Sequence, residues 1–165
     1  NYYVEDEPLQ KNYGSKLRGK IDIDELILEA SLGYSFEDYF NLNYQILNGP
    51  IQDYSLISKI GILKTSVGYK IKTAESVLYS YNSLYYSAKL EKRFKRILIS
   101  IGGSINNKRY DNRADKITSI FATLAVKLTN KVELSFNYNN IQSDSSNIMY
   151  TYKTQSYSSG LSLYF

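Results

Sequence analysis

The sequence predicts an all-β chain, an antiparallel up-and-down transmembrane β-barrel of eight strands, with ten as the other count the pattern allows. Three observations carry this. Many segments alternate apolar and polar residues with a period of two, and no segment sustains the period of an amphipathic helix. The polar side of that alternation is small or hydrophilic (Ser, Gly, Asn, Gln, Lys, Glu), whereas the inner faces of a soluble sandwich need large apolar side chains. Short turns alternate with long polar loops, the asymmetry of barrels that cross a membrane. Aromatics also gather near expected strand ends (Tyr34, Phe36, Tyr39, Phe40, Phe94, Phe136, Tyr138, Phe165), where a girdle at the two interfaces places them.

The elements follow in chain order. Residues 1–16 (NYYVEDEPLQKNYGSK) hold no sustained period and read as a lead-in or linker, leaving 17–165 as the barrel. Leu17, Gly19, Ile21 and Ile23 alternate weakly before parity breaks at Asp24 and Glu25. Leu26, Leu28, Ala30, Leu32, Tyr34 and Phe36 then share one face. Glu37 and Asp38 read as a tight turn into a second strand carrying Phe40, Leu42, Tyr44 and Ile46.

Asn48-Gly49-Pro50 marks a turn, and 55–72 reads as strand with a second parity slip near Ile62 and Leu63, a β-bulge or an unseen turn. Residues 73–76 turn the chain back to Leu84, Tyr86, Ala88 and Leu90. A charged turn at 93–95 leads to Ile97, Ile99, Ile101, Gly103 and Ile105, followed by a long polar loop at 106–116 (NNKRYDNRADK). Ile120 to Leu128 descend to the turn Thr129-Asn130-Lys131, and Val132 to Tyr138 return to a second polar loop at 140–147. Taking 55–72 as one strand and starting at Leu26 gives eight strands; taking both slips as turns gives ten.

The chain closes on YSSGLSLYF, with Tyr157, Ser159, Leu161, Leu163 and Phe165 on one face and Ser158, Gly160, Ser162 and Tyr164 on the other. This stretch resembles the closing strand of bacterial outer-membrane β-barrels, whose C-terminal aromatic and alternating apolar residues are read by the barrel-insertion machinery. The whole pattern is similar to small barrels of the opacity-protein type, or to the terminal barrel of a larger outer-membrane protein. The resemblance implies an outer-membrane location, with short turns on the periplasmic side. Membrane lipid and lipopolysaccharide become the surroundings, and the barrel-assembly machinery the partner that reads Tyr157, Leu161, Leu163 and Phe165.

Composition bounds the chemistry. The 165 residues suit one domain, with no Cys, no His and no Trp but 18 Tyr. Tyr, with an apolar ring and a wet hydroxyl, suits a β surface between oil and water. A net charge of +4 from 20 basic and 16 acidic residues is too mixed to point to nucleic acid. Mean hydropathy is −0.36 and no apolar run is long enough for a transmembrane helix, which leaves a barrel open because only alternate residues face lipid. The chain starts at Asn1 without a visible signal peptide, so a mature or trimmed form is expected.

Outer-membrane barrels that act as enzymes resemble one another in needing a catalytic His, and this chain has none. Without Cys either, no Ser–His pair, His-liganded metal or thiolate site can be assembled, and neither cofactor nor metal is expected. The inward charges Glu29, Lys64, Lys70, Lys89, Glu91, Lys127 and Glu133 read as a network of opposite signs that fills the lumen of a small barrel. The rival use of the same lysines is an anion-selective pore. In the loop at 106–116, Lys108, Arg109, Tyr110 and Arg113 read as a solvated surface, with a grip on polyanions as the functional alternative. Gly102 and Gly103 are expected to give backbone room inside the wall. The expected function is thus a non-enzymatic anchor or surface interaction protein; a small diffusion channel and a part of a larger barrel are the alternatives.

Overall fold

The computed structural model describes residues 10–39 and 42–163, and within them a single antiparallel sheet of nine strands. These are β1 (Gln10–Ile23), β2 (Leu26–Tyr39), β3 (Gly49–Ile60), β4 (Leu63–Lys72) and β5 (Tyr81–Phe94), followed by β6 (Ile97–Tyr110), β7 (Ala114–Lys127), β8 (Val132–Ser145) and β9 (Tyr152–Leu163). Each strand pairs with its neighbours in sequence, so the sheet is an up-and-down meander. Among the described residues the sheet does not close: β1 and β9 have no ladder between them and form the two edges of the described sheet. The all-β, antiparallel and up-and-down expectations hold. Closure and a count of eight or ten do not.

The count of nine has a local origin. Both parity breaks are two-residue turns, 24–25 between β1 and β2 and 61–62 between β3 and β4. A two-residue turn pairs an odd position with an even one, as Ile23 with Leu26 and Ile60 with Leu63, so it necessarily flips the parity of the apolar face. These turns, and the one at 95–96, have positive φ at their first residue: 50° at Asp24, 54° at Gly61 and 45° at Lys95. Against these added strands, one expected strand is missing. Glu37 and Asp38 continue β2 rather than turning, and Leu42–Leu47 is a 3₁₀ turn; Phe40 lies outside the described residues. β1 also starts at Gln10, inside the stretch read as a lead-in.

The turns at 24–25, 61–62, 95–96 and 128–131 lie at one end of the sheet, here the turn end. The longer connections that follow β2, β4 and β8, and the short 111–113 after β6, lie at the other, the loop end. Both polar loops were read too long. Residues 106–110 belong to β6 and 114–116 to β7, leaving only 111–113 as the connection, and β8 runs to Ser145. The outward face of β6 is apolar from Ile97 to Ile105 and polar from Asn107 onward. Beyond Ile105 both faces are polar, so the alternation fades while the ladder continues.

Directly opposed residues share a face, which sorts the sheet without ambiguity. One face carries Leu17, Leu32, Leu56, Tyr86, Ile101, Ile120, Leu124, Phe136 and Leu161, and all of these are exposed. Leu17 keeps 72 % of its surface and Leu161 62 %. The other face holds every buried strand residue among those described: Ser31, Gly49, Ile51, Gly68, Lys72, Ser83, Ser100, Asp115, Ala125 and Ser143. The sheet therefore curls with its polar face inside. No large side chain among the described residues is fully buried, so the sheet has no apolar core of its own.

Candidate functional site

The concave face is built from small hydroxyl side chains at directly opposed positions. Ser66, Ser87, Ser104 and Ser119 form one row across β4 to β7, and Ser31 faces Ser55 in the next row. Ser31 and Ser55 hydroxyls bond at 2.7 Å, as do those of Ser66 and Ser87. Ser83 donates to Asn106 Oδ1 at 2.5 Å and Ser119 to Asn139 Oδ1 at 3.1 Å. Each pair satisfies a polar group that the curvature of the sheet withdraws from water. Where aromatic side chains lie on this face, glycine makes the room. A Cβ at Gly68 would meet the Tyr85 ring at 2.1 Å, and one at Gly102 would meet the Phe121 ring at 2.6 Å.

All seven charges expected inside fall on this concave face, but they pair unevenly. Glu91 meets Lys89 at 2.5 Å, Glu29 lies 3.9 Å from Arg18, and Glu133 lies 4.0 Å from Arg93 and opposite Lys127 in register. Lys70 stands opposite Asp53. Lys64, by contrast, stands between Lys59 and Lys89, each directly opposite it, so three lysines cross β3, β4 and β5 in one row. Like charges at opposed positions repel. Near the turn end this row borders a cleft of about 360 Å³ that also includes Lys20, Glu29 and Glu91. Sequence reading had interleaved acids with bases and missed this row, because it appears only once the register is known.

Among the described residues, the closest charge–aromatic contacts lie at the loop end. Arg113, in the connection after β6, stacks its guanidinium between Tyr110 at 3.9 Å and Tyr150 at 3.7 Å. Its Nε donates to Asp115 Oδ2 at 3.0 Å, and the Ser145 hydroxyl donates to Asp115 Oδ1 at 2.5 Å. Side-chain exposure is 14 % for Arg113 and 8 % for Asp115, so the pair is shielded from solvent. Burial alone would lower the pKa of Arg113, but Tyr110 and Asp115 outweigh it and hold the guanidinium above its ordinary value. Nearby, Lys108 lies 5.0 Å over the Tyr81 ring, which packs on Tyr110 at 5.4 Å. Lys72 reaches across β3 to Glu37 at 2.5 Å.

Of the four residues expected in a loop, Lys108, Arg109 and Tyr110 are therefore strand residues, and Arg113 alone sits in the connection. Lys108 and Tyr110 share the concave face with Asp115, whereas Arg109 points to the other side. Tyr81, Asp115, Ser145 and Tyr150 complete the assembly and carried no motif by which they could be found. In the closing strand, Tyr157, Leu161 and Leu163 line the outer face of β9, with Tyr157 packed on Tyr138 at 5.1 Å; Phe165 lies outside the described residues. Among the described residues no cluster of acidic side chains could hold a metal ion, and no helix is long and apolar enough to cross a membrane, which says nothing of strands.

No protein-family model, curated protein or solved structure matches the chain.

Proposed function

We propose that the chain forms the wall of a bacterial outer-membrane β-barrel and serves, without enzymatic activity, as a membrane anchor that displays its loop end for interaction. One observation carries this reading: the large apolar residues crowd a single exposed face, while the opposite face is hydroxyl-rich and charged. In water such a sheet leaves its main hydrophobic driving force unused, at about 25 cal/mol per Å² of apolar surface. Lipid against that face recovers it. The outward apolar stretch of β6, Ile97 to Ile105, matches the roughly 9–11 residues that a tilted strand needs to cross a bilayer. A shallow apolar groove of about 760 Å³ over Ala122 and Ser159 lies on the same face.

Refolding into detergent micelles and lipid vesicles tests the reading. A compact band that shifts on boiling, formed only with detergent or lipid, supports it; a folded protein in plain buffer refutes it.

A second reading, a small anion-selective channel, is favoured by one specific observation, the Lys59–Lys64–Lys89 row on the concave face. Planar-bilayer recording of the folded band separates the two. The anchor gives no current steps. The channel gives discrete steps whose anion preference falls or reverses in Lys64→Glu.

A further inference from the structure

The two edges of the described sheet run in the same direction. β1 starts at the loop end and finishes at the turn end, and with nine strands in a meander β9 does the same. Direct closure would join β1 to β9 as a parallel pair, in a sheet whose every other ladder is antiparallel. We propose instead that β1 and β9 take up one further β-strand between them, running from the turn end to the loop end and antiparallel to both. This inference rests on the membrane reading, because lipid is where an unpaired strand edge is least tolerable.

Direction also decides against a second copy as the occupant. Two copies inserted with the same orientation present β9 of one to β1 of the other in parallel. An antiparallel meeting of two β1 edges requires one copy to be inverted across the membrane.

The edges define the chemistry of the strand they accept. On the outer side they flank it with Leu17, Ile21 and Ile23 from β1 and Tyr157, Leu161 and Leu163 from β9, so its outward residues are apolar. On the inner side β1 presents Lys16, Arg18 and Lys20, while β9 presents Ser156, Ser158, Gly160 and Ser162. The acids already near these cations are Asp22, at 2.8 Å from Lys20, and Glu29, at 3.9 Å from Arg18. The inward residues of the accepted strand are therefore short or acidic, with carboxylates opposite the three cations of β1.

The chain lacks cysteine, which gives a clean test by cross-linking. The probe is a synthetic peptide of about ten residues alternating Leu with Ser and Glu and carrying one central Cys, compared with the same peptide bearing Lys for Glu. The targets are the full chain with Leu17→Cys, with Leu161→Cys, or with Leu17→Cys paired in turn with Tyr157→Cys, Ser159→Cys and Leu161→Cys. With oxidised glutathione as the oxidant, the acidic peptide is expected to form a disulfide with each single variant, about tenfold more efficiently than its lysine counterpart. The paired variants are expected to form no disulfide within one chain, since two strand spacings of about 4.8 Å exceed disulfide reach.

A disulfide directly between the edges of one chain overturns the proposal in favour of parallel closure. Edge disulfides between chains overturn it in favour of a dimer, and capture of the peptide by one edge or neither also overturns it. The assay runs in whichever medium the chain folds, with vesicle insertion scored separately. Failure to insert thus refutes the membrane reading, and failure to capture the peptide refutes this one.

Discussion

At Gly68 the concave face has room for a hydrogen and little else. Tyr85 stands directly opposite on β5, and its ring lies over the glycine toward Ser55 and Asp53 on β3. The ring thus covers three strands, and the glycine is the seat it occupies. Gly68→Ala is expected to destabilise the folded protein by about 1–3 kcal/mol through overpacking. Tyr85→Ala empties the same seat, so the double variant is expected to lose clearly less than the sum of the two single changes. Denaturant titration of the refolded protein, followed by its tyrosine emission, measures all three. In the sequence Gly68 is only a glycine on the polar side of an alternating stretch, since the side chain that needs it lies on the next strand and the pairing register brings the two together. At Gly102 the expectation of backbone room was sound, and the Phe121 ring supplies the reason.

Among the elements, the β6–β7 hairpin differs most from its sequence reading. Its polar end was taken for a loop because the reading followed hydrophobic alternation, and that signal stops where the outward face becomes polar at Asn107. Backbone pairing does not stop there; it runs on through Arg109 opposite Ala114. Around Arg113 and Asp115, three side-chain connections tie this end together: the Tyr110–Arg113–Tyr150 stack, the Arg113–Asp115 ion pair and the Ser145–Asp115 hydrogen bond. Arg113→Ala is expected to leave the fold intact but to raise amide exchange about tenfold or more across 110–116 and 146–151, because a shielded charge pair and two stacking contacts vanish together. Arg113→Lys is expected to restore little, since an ammonium cannot lie flat between two rings. Hydrogen–deuterium exchange with peptide-level resolution checks both. Exchange that spreads evenly over the sheet would show that Arg113 supports the whole fold instead.

For the whole molecule, the alternation did most of the work: the division into an apolar and a polar face follows from parity alone, and the register reproduces it strand by strand. What parity could not supply was the count. It registered the turns at 24–25 and 61–62 as slips without identifying them, because neither carries the Asn-Gly or Asp-Gly pair that usually marks a two-residue hairpin turn. The apolar face also supplies the sharpest whole-molecule test. Ile101 is 53 % exposed on that face, and Ile101→Lys is expected to cost about 2–4 kcal/mol in a bilayer near its midplane. The same change on the surface of a water-soluble sheet is expected to stay within about 0.5 kcal/mol. Urea unfolding from vesicles compares the variant with the parent chain.

The odd number of described strands gives the sheet a polarity that an even-stranded meander lacks. A chain that crosses an even number of times returns to the side it left. This one enters at the loop end of β1 and leaves at the turn end of β9, so its described length makes one net traverse. In the membrane proposed for it, the start of β1 and the end of β9 face opposite compartments, and the described sheet becomes a vectorial link between them.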